Sequence, residues 1–245
     1  MFKDMFTGTA AIFRREFAAY FATPLAYVFI VIFLVFSGIF TFYLGGFFER
    51  GQADLQPFFT FLPWLYLFLV PAVTMRLWAE ERKSGTLELL LTMPLRETEV
   101  VLGKFLASFG FLALTLAFTV TVPLSIGLLG RPDWGVIAGS YAGVLFLGAA
   151  YLAIGLWISS LTESQVVAFI ISVAMIFLLL AAGVAPQWLG SVGWFAALCE
   201  YLSLFSHFQN ILRGVLDSRD VVYYVIVVCF FLYLNVKNIE ARKWR

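Results

Sequence analysis

The side chains in this sequence most capable of chemistry lie between residues 186 and 220. Glu200, the single histidine His207 and Arg213 fall in this stretch. In one continuous helix, Glu200 and His207 would be seven residues apart and share a face. If the pair lies inside the membrane, it is a candidate for a metal or proton site. One histidine and one carboxylate are an incomplete metal ligand set, and the alternative is that both face water.

Motifs that bind nucleotides or cleave covalent bonds are missing from the sequence. Gly103 and Lys104 do not complete a P-loop, because Thr98 occupies the position of its first glycine. Cys199 and Cys229 have neither CxxC nor metal-ligand spacing. We therefore expect no catalytic residue, no metal and no cofactor on this chain. Energy for any driven process would come from another subunit.

The composition is that of an integral membrane protein. Of 245 residues, 62% are hydrophobic and 13% charged, and mean hydropathy is +0.94, whereas a soluble domain is about half apolar and a quarter charged. The net charge of +1 gives no electrostatic footprint for nucleic acid. We expect one membrane domain over residues 1–245, with lipid as its surroundings.

Six uncharged apolar runs have the length of a membrane-crossing helix. They are residues 25–48, 58–75, 105–129, 136–161, 166–185 and 221–236. None alternates between apolar and polar residues as an outer-membrane strand does. The sequence thus predicts an all-α membrane protein with six transmembrane helices.

The basic residues predict the orientation of these spans. Six spans place both termini and the connections 76–104 and 162–165 on one side. That side holds twelve of the sixteen Lys and Arg residues, and the other holds Arg50, Arg131, Arg213 and Arg219. By the positive-inside rule, both termini are cytoplasmic.

Residues 1–24 predict an interfacial helix in the cytoplasmic headgroup layer. Four aromatic residues cluster on one side of its helical wheel and Arg15 lies opposite; the four are Phe13, Phe17, Tyr20 and Phe21. Pro24 suits the first position of a new helix and disfavours helix at Thr23. We expect a break there; the alternative is an uninterrupted continuation into the first span.

Residues 79–96 form an unusually long and apolar cytoplasmic connection. Ser84 and Gly85 break a charged stretch, after which Thr86 is expected to cap a short helix over 87–93 that Pro94 ends. Such a helix is too short to be stable alone. It must therefore pack on the protein's own helices or on another protein, through its leucines Leu87, Leu89, Leu90 and Leu91.

Residues 186–220 are too apolar for a solvated loop and too short for two full crossings. We expect an outer-side re-entrant helical hairpin, which is tolerated where protein buries its turn. Pro71 and Pro123 lie within the second and third spans and are candidate bend points. The alternative is that both prolines merely shape the bundle. Glycines such as Gly148 and Gly155 permit close helix approach, either to a partner chain or within this one.

A specific resemblance rests on two blocks of sequence. They are Leu67 to Arg76 and Glu80 to Leu95, where the charged residues run into Ser84, Gly85, Thr86, Leu87 and Glu88. This pattern resembles the ABC type-2 permease family and, within it, the GldF-like branch known from gliding motility. Pro24 to Val28 and Phe208 to Asp217 also resemble that branch.

The resemblance implies a half-transporter of the bacterial inner membrane, with export as its expected direction. It implies a second permease chain, a separate ATPase that holds ATP and Mg²⁺, and a GldG-like accessory subunit. The ATPase would dock on the coupling segment, whose residues are Glu80, Glu81, Arg82, Lys83, Ser84, Gly85, Thr86, Leu87, Glu88, Leu89, Leu90, Leu91 and Pro94. The alternatives are an ATP-independent channel or scaffold, or an ABC type-2 permease of another branch, such as the copper-centre maturation type.

Overall fold

The computed structural model describes residues 2–50, 54–93, 95–130, 132–183, 193–214 and 217–243. Within these ranges all regular structure is helical and no strand occurs. This confirms the all-α prediction. The α-helices are α1 Phe2–Phe21, α2 Pro24–Ile39, α3 Phe47–Arg50, α4 Gln56–Thr74, α5 Arg76–Lys83, α6 Thr86–Thr92, α7 Glu97–Ala117, α8 Thr121–Leu129, α9 Trp134–Leu161, α10 Gln165–Ala181, α11 Gly193–Leu202, α12 Leu204–Leu212 and α13 Ser218–Lys243.

Five helices in the described residues are long and apolar enough to cross a membrane. They are Ala26–Leu44, Gln56–Lys83, Glu97–Leu128, Trp134–Leu161 and Ser218–Arg242. Each overlaps one of the six predicted runs. The remaining run corresponds to α10, which is apolar but shorter, at 17 residues. The sixth span therefore stays a prediction, and the end of its run, residues 184–185, lies outside the described residues.

Helix α9 forms the centre of the bundle and contacts α4, α5, α7, α10, α12 and α13. Two of its glycines allow this close packing. A Cβ at Gly155 would collide with Thr74 of α4, and one at Gly148 would collide with Leu112 of α7. These two glycines therefore permit close packing of helices within this chain. Of the two alternatives left open by the sequence, this is the one that the structure shows for Gly148 and Gly155.

The amino-terminal helix is separate from the first span, as predicted. Helix α1 ends at Phe21, Thr23 is extended, and Pro24 opens α2. The aromatic face of α1 packs largely on α7, where the Tyr20 ring stacks on Phe111 with centroids 4.8 Å apart. Its position in the headgroup layer stays a prediction.

Both proline-containing spans have an irregular turn near the proline. Pro123 has no N–H for the Thr119 carbonyl, which instead accepts a bond from the Tyr141 hydroxyl at 3.3 Å. A 3₁₀ turn, Phe118–Val120, separates α7 from α8 there. Pro71 lies four residues before Met75, where α4 gives way to α5. Bending at these points stays a prediction.

Candidate functional site

The predicted coupling segment contains the end of α5 and all of α6. A tight turn at Gly85 joins the two helices. Gly85 has φ of +72°, a left-handed conformation that glycine adopts without strain. The expectation that Thr86 caps α6 is wrong, because Gly85 takes the cap position and no side chain caps the helix. The turn directs the Thr86 hydroxyl back to the Glu81 carbonyl, 3.3 Å away.

The leucines of α6 divide between two environments. Leu87 and Leu90 are buried in the hydrophobic core of the chain itself. Leu89 is 63% exposed and Met93 is also exposed, and their spacing of four residues places them on one face. The sequence predicted one docking surface made of the four leucines, and this prediction is therefore wrong. The Leu91 side chain and Pro94 lie outside the described part of the chain.

A buried ammonium group joins the coupling segment to two other helices. Lys104 of α7 is 1% exposed, and its Nζ lies 3.0 Å from Glu16 Oε1 of α1 and 2.9 Å from Glu81 Oε1 of α5. The same Nζ donates to the Leu77 carbonyl at 2.9 Å. Arg15 reaches Glu81 at 3.1 Å. We call Arg15, Glu16, Glu81 and Lys104 the charge cluster.

The charge cluster keeps Glu16 ionised. Burial alone would raise the pKa of its carboxyl, but Lys104 and Arg15 together lower it below the ordinary value of 4.5. A carboxyl whose pKa is lower in the folded state stabilises the fold above its unfolded pKa. This contribution is therefore complete at neutral pH and is lost as the pH falls through the lowered value.

Helix α9 holds the start of α5. The break at Met75 leaves the first N–H groups of α5 without helical partners. Ser159 Oγ accepts from the amides of Trp78 and Ala79 at 3.2 and 3.3 Å, and its hydroxyl donates to the Met75 carbonyl at 2.9 Å. Arg82 adds an ion pair to Glu163 at 3.0 Å. The sequence gives no local signal for Ser159, because it lies about 80 residues away.

Two helices, α11 and α12, lie in the segment predicted to be the outer hairpin, which we call the hairpin segment; its re-entrant position stays a prediction, and its suspected ionisable pair does not form. Ser203 separates α11 from α12, and its Oγ accepts from the amides of Phe205 and Ser206. Glu200 and His207 therefore lie on different helices, so the expected shared face is wrong. His207 instead places Nδ1 2.6 Å from Asp220 Oδ1 of α13 and Nε2 3.1 Å from the Tyr201 carbonyl.

The pair of His207 and Asp220 fastens the hairpin segment to α13. One ring nitrogen of His207 thus contacts α13 and the other contacts α11. The Tyr223 ring stacks on the imidazole at 3.9 Å, and its hydroxyl donates to the Leu202 carbonyl at 2.7 Å. No group of three potential metal ligands occurs in the described residues.

Connections that are distant in sequence meet at the two ends of the bundle. The charge cluster, Ser159 and Asn238 of α13 meet at one end, where Asn238 donates to the Ser160 carbonyl at 2.9 Å. At the other end, residues 54–56 and 132–133 line a cavity of about 350 Å³ together with Leu212. Which end faces the cytoplasm stays a prediction.

Comparisons with known proteins point to one family. A family model described as ABC-2 family transporter protein matches residues 47–236. Two curated relatives, both called probable multidrug ABC transporter permease YbhR, come from Escherichia coli K12 and Escherichia coli O157:H7. Each is 30% identical over 157 residues, which cover 59% of this chain and 40% of the relative. The match thus spans less than half the length of these relatives.

Proposed function

Because the chain belongs to the ABC-2 family of transporter proteins, we propose that it is the transmembrane permease subunit of an ABC transporter. Both relatives are described as ABC transporter permeases. In this proposal, an ATPase subunit holds ATP and Mg²⁺, and the chain itself has no catalytic residue. Export as the direction, the GldF-like branch and a GldG-like accessory subunit form the finer part of the proposal, and these rest on the resemblance of the coupling segment.

The observation that carries the proposal is the construction of α5 and α6. An exposed apolar face on a short helix is suited to a partner's cleft, and Leu89 and Met93 supply that face. Glu88 is exposed beside it and would set register at the rim. Together these side chains form a surface that an ATPase could grip.

The contacts of α5 support a route by which movement of the ATPase could reach the spans. Helix α5 follows α4 with a break only at Met75, and Lys104 ties it to α7. Movement of α6 by the ATPase would therefore pull on the second and third spans together. We propose that Pro71 and Pro123 provide the bend points in these two spans. Helix α1 would follow, because Glu16 binds the same ammonium group.

We propose six spans with both termini in the cytoplasm of a bacterial inner-membrane protein. Single cysteines at Ser84, Glu240, Asp54 and Asp217, in a background without Cys199 and Cys229, would test this topology. An impermeant thiol reagent added to intact cells should label positions 54 and 217 only. Labelling at 84 or 240 before the cells are opened would contradict the orientation, and permeabilised cells provide the control for accessibility.

We further propose that two permease chains assemble with two ATPases. Since Gly148 and Gly155 pack against helices of their own chain, other surfaces must form the contact between permeases. Native mass spectrometry of the complex, purified in detergent and active in transport after reconstitution, should show a two-to-two composition. An active complex with one permease and one ATPase would refute the dimer.

A further inference from the structure

A groove of about 900 Å³ lies between α10, the hairpin segment and α13. One end is polar, and its lining residues are His207, Asn210, Arg213, Asp217, Arg219 and Asp220. The rest is apolar, with Val222, Ile226, Val227, Phe230 and Phe231 of α13 facing Leu179 of α10. The groove is therefore amphipathic along its length.

The polar end contains two guanidinium groups that no described residue pairs with. Asp220 is paired with His207, and Asp217 Oδ1 accepts from the Arg219 amide at 3.0 Å. By contrast, the guanidinium groups of Arg213 and Arg219 have no hydrogen bond or ion pair with any residue in the described ranges. Two guanidinium groups without a partner in these ranges are suited to bind an anionic ligand group in a bidentate way.

The apolar wall has the depth of one lipid leaflet. Val222 to Phe231 span nine helical steps, or roughly 13 Å at 1.5 Å per residue. The hydrocarbon core of a bilayer is about 30 Å thick, so one leaflet contributes about half of that. An acyl chain whose headgroup lies at the two arginines would thus be covered along this wall.

We propose that this groove binds a membrane-resident amphiphile with an acidic headgroup. The headgroup contacts Arg213 and Arg219, and the hydrocarbon tail lies along α13. The hydrogen bonds from Tyr223 and Tyr224 to the carbonyls of Leu202 and Leu204 in the hairpin segment, both 2.7 Å, preform the walls. This inference goes beyond the proposed function, because the site requires neither ATP nor an ATPase.

Binding would be measured on the purified full-length permease with two photoactivatable probes of the same acyl chain, phosphatidylglycerol and phosphatidylcholine. We expect phosphatidylglycerol to label the α13 peptide containing residues 222–231. Changing Arg213→Gln and Arg219→Gln together should weaken its binding at least about tenfold, or about 1.4 kcal/mol. The phosphatidylcholine signal should be weak and unchanged. Excess inorganic phosphate should not compete, since it lacks a tail.

Two tryptophan variants separate the groove from the neighbouring lipid surface. Val222 lines the groove and is 54% exposed, whereas Val225 is 48% exposed on the same helix but does not line it. Val222→Trp should abolish labelling by phosphatidylglycerol, and Val225→Trp should leave it intact. Equal binding of both probes, or no effect of the arginine changes, would overturn the proposal. The proposal would also be overturned if phosphatidylglycerol fails to label the wild type and Val222→Trp breaks the dimer. In that case the second permease chain would cover the groove. Because the readout is binding, its failure would leave the proposed permease function standing.

Discussion

Changing Leu89→Asp is expected to weaken retention of the proposed partner ATPase at least about tenfold. Leu89 is exposed, whereas Leu87 and Leu90, the other leucines of α6 with described side chains, are buried, and burying such a side chain is worth about 1.5–3 kcal/mol. Loss of a central anchor typically costs about 2 kcal/mol or more, and about 1.4 kcal/mol corresponds to a factor of ten. The affinity would be measured with purified permease and ATPase.

Two neighbouring variants make this result specific. Glu88→Gln changes an exposed rim position and should mainly alter the salt dependence of binding. Leu90→Asp places a charge in the core, so it should reduce the yield of folded permease. If Leu89→Asp is folded and dimeric and still binds the ATPase like the wild type, then α6 is not the docking element.

Changing Lys104→Met is expected to destabilise the permease by about 3–5 kcal/mol. The substitution removes the ammonium that both Glu16 and Glu81 contact and leaves two carboxylates in a largely buried site with only the half-exposed Arg15 beside them. The free energy of unfolding would be measured by titration with SDS in mixed micelles.

A Lys→Met change at an exposed ion pair provides the control. Lys237→Met breaks the exposed pair with Glu240, and such surface pairs contribute little to stability. Adding Glu16→Gln and Glu81→Gln to Lys104→Met should recover much of the loss, because no buried charge then lacks a partner. Equal stabilities of Lys104→Met and the wild type would show that the charge cluster contributes nothing to folding.

The helical fold was predictable because long apolar runs and proline positions are local properties of the chain. The break at Thr23 follows from Pro24 alone. The orientation of α6 was not predictable, since four leucines within seven residues surround the helix and define no single face. Only the packing of Leu87 and Leu90 in the core leaves Leu89 outside.

Partners distant in sequence were also beyond prediction. Asp220 pairs with His207 because Ser203 ends one helix and begins another, which rotates His207 away from Glu200. A useful signal was Asp220, an acidic residue directly before the apolar run 221–236. Ser159 and Lys104 likewise acquire their roles only when α5, α7 and α9 are packed together.

The contact between Glu16 and Lys104 imposes an order on biosynthesis. Glu16 is synthesised 88 residues before its partner, which corresponds to roughly 4–18 s of translation at about 5–20 residues per second. During this interval α1 has no α7 on which to place its aromatic face. The aromatic face of α1 can therefore reach its final packing only after α7 has been synthesised.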